Sequence, residues 1–190
     1  MNKKTKLFLL ICLILLLFII RTEGVIMVDK GITEDDLKHA IAYDNIPLTV
    51  DEQYFIYNES IKRNMSFELI LSMIKLESNF KKNLVSETND YGIMQIHKKY
   101  ADWYAELGEL ENYNIFSFED NVIMGISGIA FYCDFYRDKG MSEELVFYYG
   151  LNSYNMGIYG YKQHVSNNSN ISRAYDRRIL DYKMKLERSN

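Results

Sequence analysis

Apolar residues recur along this chain at helical spacing, and one polar, irregular stretch interrupts them. Residues 33–43 open with Thr33 and, three positions on, Asp36, a weak form of the capping box that starts a helix. Thr49 and Glu52 make a better box, and Val50, Tyr54, Tyr57 and Ile61 then follow at helical spacing, which predicts a second helix. Ser66 suits the N-cap of a third, whose Phe67, Ile70, Leu71 and Ile74 form one apolar stripe. From residue 83 to 95 the periodicity stops. Asn89, Asp90 and Gly92 are turn formers there, and a small hairpin or bent loop is expected. Helical spacing resumes at Val122, Ile126, Ile129, Phe131 and Cys133, and again over 145–149. A polar loop at 166–172 separates these from a last helix at 174–186. With a single proline, Pro47, and no internal repeat, the pattern predicts a mostly α single domain carrying one small β or irregular element.

The first 24 residues read differently. Lys3, Lys4 and Lys6 precede fourteen consecutive apolar residues, Leu7 to Ile20, and then Arg21. This is the pattern of a secretory signal, and it is short for a membrane span, which usually takes about 18 apolar residues or more. Thr22 and Gly24 are the only plausible small pair for cleavage, so a cleaved signal and a retained anchor both stay open. Either one exports the rest of the chain, since the lysines remain inside.

Composition narrows the function. Hydrophobic residues at 48% and charged residues at 25% fit a folded domain rather than a disordered tail. The net charge of -4 divides into +3 over the first 24 residues and -7 over the rest. No nucleic-acid partner is expected, because phosphate contact needs a basic face. Two cysteines, Cys12 in the apolar run and Cys133 in a helical one, exclude a disulfide framework and Cys-rich zinc sites; Cys133 reads as a buried small hydrophobe. His39, His97 and His164 are isolated, and neither a P-loop, a dinucleotide fingerprint nor a nucleophile elbow is present, so no metal or cofactor is expected. The basic residues near the C-terminus alternate with Asp176, Asp181 and Glu187, as on a solvated helix face.

Glu77 lies three residues after Ile74 and seven after Ile70, which sets it beside the apolar stripe. Desolvation there disfavours the charged form and raises the carboxyl's pKa. A carboxyl still protonated near neutral pH is a general acid for a poor leaving group such as a glycosidic oxygen. By spacing alone, a rim glutamate paired with Lys75, Lys81 or Lys82 is the better reading.

The surrounding string adds a different kind of information. Glu77-Ser78-Asn79-Phe80 is followed by Ser86, by Tyr91-Gly92-Ile93-Met94-Gln95-Ile96, by Asn121 with Gly125, by Ser153-Tyr154-Asn155-Met156-Gly157, and by Tyr175. In this order the chain resembles the soluble lytic transglycosylases, relatives of goose-type lysozyme (glycoside hydrolase family 23), over roughly residues 50–180. The motifs that carry the resemblance are E-S, G-L-M-Q, N-x-x-x-G and A-Y-N-x-G. It implies an α+β lysozyme-like fold over residues 49–190, after a signal or anchor at 1–24 and an extension at 25–48. It also implies an extended glycan cleft with Glu77 as the single catalytic acid/base. Ser78, Met94, Gln95, Tyr154, Asn155 and Tyr175 would then serve the substrate. Among these, Tyr154 and Tyr175 would hold Glu77 through their hydroxyls, Asn155 would grip an N-acetyl group, and Met94 would line the cleft.

Ser153 and Met156 stand where the family usually has alanine, and Asn89-Asp90 replaces a common Gly-Ala pair. The loop around Asp90 is also similar to that of animal-type lysozymes, where the matching aspartate is the second carboxylate; a turn-capping side chain is the other reading. Physical reasons accompany several positions. Gly92 permits a backbone bend close to a sugar, Gln95 offers both donor and acceptor, and Ser78, near the centre of the apolar stripe, needs a hydroxyl partner. Trp103 suits either a sugar-stacking face or a core position.

Most glycosidases use two carboxyls, and substrate-assisted enzymes are the exception. With one acid, the expected reaction is cleavage between MurNAc and GlcNAc assisted by the sugar's own 2-acetamido group, closing a 1,6-anhydro ring. The alternatives are a hydrolytic muramidase using Glu77 with Asp90, and a wall-binding scaffold without activity. The expected partner is the peptidoglycan strand, met outside the cytoplasm, with membrane anchoring through residues 7–20 and an envelope-machine partner left open.

Overall fold

The computed structural model describes residues 33–167 and 174–189; the expected signal or anchor and most of the 166–172 loop lie outside them. The chain divides into two compact units, residues 1–55 with 188–190 and residues 56–187. Among the described residues, no helix is long and apolar enough to cross a membrane.

In the first unit, α1 (Glu34–Ile41) carries the full capping box: the Thr33 hydroxyl accepts from the Asp36 amide while the Asp36 carboxylate accepts from the Thr33 amide. The second box is also complete, with Thr49 and Glu52 bonded reciprocally at the start of α2 (Val50–Lys62). Buried Gln53 ties the intervening loop to α2. It accepts from the Tyr43 amide at 2.8 Å and donates to the Tyr43 and Leu48 carbonyls.

The second unit is built around α3 (Phe67–Ser78), capped by Ser66 as expected. Leu69, Ser72 and Met73 are as buried as the predicted stripe, so α3 is covered on nearly all sides and is a central helix rather than a surface one. Asn79 ends it in the left-handed region at φ 51°. The irregular stretch forms a short antiparallel pair, β1 (Asp90–Tyr91) with β2 (Ile96–His97), in the register Asp90 to His97 and Tyr91 to Ile96. A 3-10 turn (Lys98–Tyr100) leads into α4 (Ala101–Leu107), a helix the periodicity did not announce. Next come α5 (Phe118–Arg137), capped by Ser117, then α6 (Glu143–Asn167), bent at Gly157, and α7 (Ala174–Ser189). Cys133 is buried, which pushes its thiol up to about 12. The serine of the fourth motif is satisfied as well: Ser153 is buried on α6 with its hydroxyl 2.8 Å from that of Tyr136.

Candidate active site

Because α3 is enclosed, its last turn carries Glu77 into the interior of the second unit, on the wall of a cavity of about 630 Å³. Glu77 is half-buried there, and the Tyr175 hydroxyl of α7 donates to its Oε1. Burial raises the Glu77 carboxyl from its ordinary 4.5 to about 7; the Tyr175 hydrogen bond pulls the other way, and the negative charge of Asp90 adds to the rise. No lysine is needed to account for this residue.

Asp90 lies on the same cavity wall. Its carboxylate accepts from the Ser86 hydroxyl at 2.7 Å and from the Thr88 hydroxyl, and its own amide donates to Ser86 Oγ at 3.0 Å. Asn89 takes the preceding turn at φ 65°. Asp90 thus closes a turn and also lies on the wall of the cavity that holds Glu77.

The loop between the strands is fixed from α5. Asn121 and Gly125, four apart, share a helix face. The buried Asn121 side chain accepts from the Met94 amide at 2.8 Å and donates to the Tyr91 and Ile115 carbonyls at 2.9 and 3.0 Å. Gly92, at φ 77°, passes so close that a Cβ there would lie 2.3 Å from Asn121 Nδ2. One turn along, a Cβ on Gly125 would lie 2.4 Å from Met94 Sδ. The N-x-x-x-G spacing thus has a direct physical meaning: an amide that brackets the loop, then a gap into which Met94 packs.

Several sequence expectations are refined by these contacts. Met94 is fully buried under α5, and the described cavity wall does not include it, because Gly125 leaves it a pocket in the core. Ser78 is buried too, and its hydroxyl finds its partner within α3, donating to the Ile74 carbonyl at 3.1 Å. Tyr154 does not reach Glu77 with its hydroxyl; it donates to the Met94 carbonyl at 2.9 Å, and among the described residues it is Tyr175 that holds the glutamate. Gln95 stands at φ 51° and uses its amide nitrogen on the Leu84 and Gly92 carbonyls, at 3.2 and 2.8 Å. That leaves its oxygen, not both ends of the amide, to face a ligand. Asn155 is exposed on the cavity wall, next to the bend at Gly157.

The cavity also contains residues that the motifs did not single out. His97, Tyr100 and Tyr104 come from β2, the 3-10 turn and α4, and Phe131 and Tyr132 from α5. The sequence did carry a signal for them in the aromatic cluster Tyr100, Trp103 and Tyr104, which shares a helical face at spacings of three and four.

A carboxyl at the end of a buried helix and a two-stranded hairpin beside it, both lining one cavity, make up a lysozyme-like arrangement. The chain belongs to the family described as the Transglycosylase SLT domain, whose model matches residues 53–176. Two solved structures share its fold. One is the lytic transglycosylase Slt of Pseudomonas aeruginosa in an inactive mutant form, with a TM-score of 0.62 and 13% identity over 82% of this chain and 27% of that one. The other is the 70 kDa soluble lytic transglycosylase SLT70 of Escherichia coli, with a TM-score of 0.58 and 16% identity over 78% of this chain and 25% of that one. This chain thus spans about a quarter of the length of either neighbour. No curated protein sequence matches it.

Proposed function

We propose that this chain is a peptidoglycan lytic transglycosylase that cleaves between MurNAc and GlcNAc on the outer side of the cytoplasmic membrane, with residues 7–20 as its export signal or anchor. One observation carries the reading. Glu77 lies on the wall of a cavity, held by Tyr175, with its proton retained up to about pH 7. Membership of the family and the lytic transglycosylases that share the fold support it.

In this reaction the protonated Glu77 gives its hydrogen to the bridging oxygen as the bond from C1 to that oxygen breaks. The 2-acetamido carbonyl oxygen of the same sugar bonds to C1 in its place. The resulting carboxylate then takes the hydrogen of the C6 hydroxyl while O6 displaces the acetamido oxygen. The ring closes, no water is consumed, and Glu77 is protonated again. Tyr175 keeps the carboxyl turned toward the bond, while the Gln95 oxygen and the exposed Asn155 amide offer hydrogen bonds to hydroxyl and N-acetyl groups.

A second reading is favoured by one specific observation, the shared cavity of Glu77 and Asp90. A carboxylate there can orient a water for ordinary hydrolysis. Mass spectrometry of digested sacculi separates the two, because anhydro ends follow from the first and reducing ends from the second.

The pH dependence follows from the charges. Only the protonated carboxyl can start the reaction, so the rate is expected to fall as pH rises through about 7. Since the Asp90 charge helps to raise Glu77, Asp90→Asn should move this limb to lower pH by up to about one pH unit. Tyr175→Phe removes a bond that favours the charged form, so its limb should move to higher pH. Its maximal rate should also drop about tenfold as the carboxyl loses its orientation. Both are read from clearing of wall suspensions across a pH series. A limb unmoved in either variant contradicts the assignment of Glu77.

A further inference from the structure

Lys75 stands in the last turn of α3, two residues before Glu77, and turns away from it. Its ammonium donates to the Asn79 side-chain oxygen and lies 5.8 Å from the centroid of the Phe80 ring and 5.9 Å from that of Tyr182. Both distances are within the roughly 6 Å over which a cation is attracted to an aromatic face. These partners belong to two elements. Asn79 and Phe80 form the turn directly behind Glu77, and both are left-handed, at φ 51° and 64°. Asparagine tolerates that region, whereas a phenylalanine there is an outlier that its surroundings must hold. Tyr182 lies on α7, seven residues after Tyr175, so the two rings share one face of that helix. Helix α7 therefore meets the end of α3 twice: at Tyr175, on the Glu77 carboxyl, and at Tyr182, on Lys75.

The titratable groups that interact with the Glu77 carboxyl are Asp90 of β1, Tyr104 of α4, Tyr154 of α6 and Tyr175 of α7; among the described residues, Lys75 does not act on it directly. A cation suits an indirect task, since one ammonium attracts two ring faces and still donates to an amide oxygen. We propose that Lys75 is a positioning residue: it ties the left-handed turn behind Glu77 to Tyr182, and thereby keeps α7 seated so that the Tyr175 hydroxyl stays on the carboxyl. The role in the reaction rests on Glu77 being the proton donor.

The test reads the Glu77 carboxyl itself, by carbon-13 NMR titration of full chains with Glu77→Gln as the assignment control. Lys75→Met keeps the stem and removes the charge. The Tyr175 bond pulls the carboxyl's pKa down, so loosening it should move the Lys75→Met midpoint up, toward that of Tyr175→Phe. The maximal rate of wall clearing should fall about two- to fivefold, with the half-saturating wall concentration little changed. Lys75→Arg keeps a cation over the rings and should restore both readings. Tyr182→Leu should repeat the Lys75→Met shift, and it carries the same test should Lys75→Met not fold. In the Tyr175→Phe background, Lys75→Met should move the midpoint no further. A lower melting temperature with an unmoved midpoint overturns the proposal, since Lys75 would then only steady the fold. An equal shift with and without the Tyr175 hydroxyl overturns it too, because that is the field of the charge alone. Product analysis on the native chain is read separately. Midpoints that follow these expectations without release of wall fragments remove the proposed reaction and leave the link to Tyr175 standing, whereas cleavage with a midpoint indifferent to Lys75 removes only the positioning role.

Discussion

Wall lysis by the Glu77→Gln variant is expected to fall by about a thousandfold or more, to the background of buffer alone. General acid–base catalysis contributes about 10² to 10⁴ in rate, and in the proposed reaction one group supplies both halves of the proton transfer. The same change should make the protein more stable in mild alkali. Glu77 in the folded chain holds its proton to about 7, against an ordinary 4.5, so the folded state binds more protons than the unfolded one between those values. Stability from this group is complete below about 4.5 and is lost as pH rises through about 7. The full difference corresponds to at most about 3 kcal/mol, and less because the carboxyl is only half-buried. Glutamine removes the penalty, so urea unfolding at pH 8 should favour the variant by about 1–2 kcal/mol, with no gain near pH 4. An inactive variant that is also less stable at pH 8 would point to damage rather than to a missing acid.

The second large effect is expected at Gly92. Alanine there meets two obstacles: a backbone at φ 77°, and a Cβ only 2.3 Å from the Asn121 amide nitrogen. The left-handed conformation costs about 1–2 kcal/mol, and moving Asn121 breaks buried hydrogen bonds to Met94, Tyr91 and Ile115. The sum is about 3–4 kcal/mol, a drop of roughly 10 °C or more in Tm for a domain of this size. Gly140 provides the comparison. It has a similar φ of 73° but nothing within 4 Å of its Cβ, so Gly140→Ala should cost only about 1 kcal/mol. Equal losses for the two alanines, measured by thermal melting, would show that the Asn121 bracket adds nothing.

Local chemistry accounts for how much of this was legible beforehand. Both capping boxes, the Ser66 cap, the hairpin region and the last helix are set by neighbours within a few residues, and they appear where the pattern put them. Spacing placed Glu77 beside the apolar stripe but allowed a rim glutamate as well; it was the resemblance of the surrounding motifs that singled the residue out. What the pattern could not give were partners distant along the chain. That α3 is covered on nearly all sides depends on where the other helices pack, and a one-sided stripe does not contain that information. The Tyr154 hydroxyl meets the Met94 carbonyl sixty residues away, and Met94 fills the space over Gly125 instead of the cavity. Helix α4 has only seven residues, too few for a clear period, so the helix itself stayed out of view although its Trp103 was noted.

The bracket from α5 has a consequence for how such a chain can change over generations. A single helix-borne amide holds the floor of the hairpin, so the floor does not depend on a wide sheet. Aspartate at that position is a poor heir, since it lacks the donor that two carbonyls require. The lip from His97 to Trp103 lies beyond those three bonds. Substitutions on that lip leave the three bonds untouched, so the hairpin floor and the lip can vary separately.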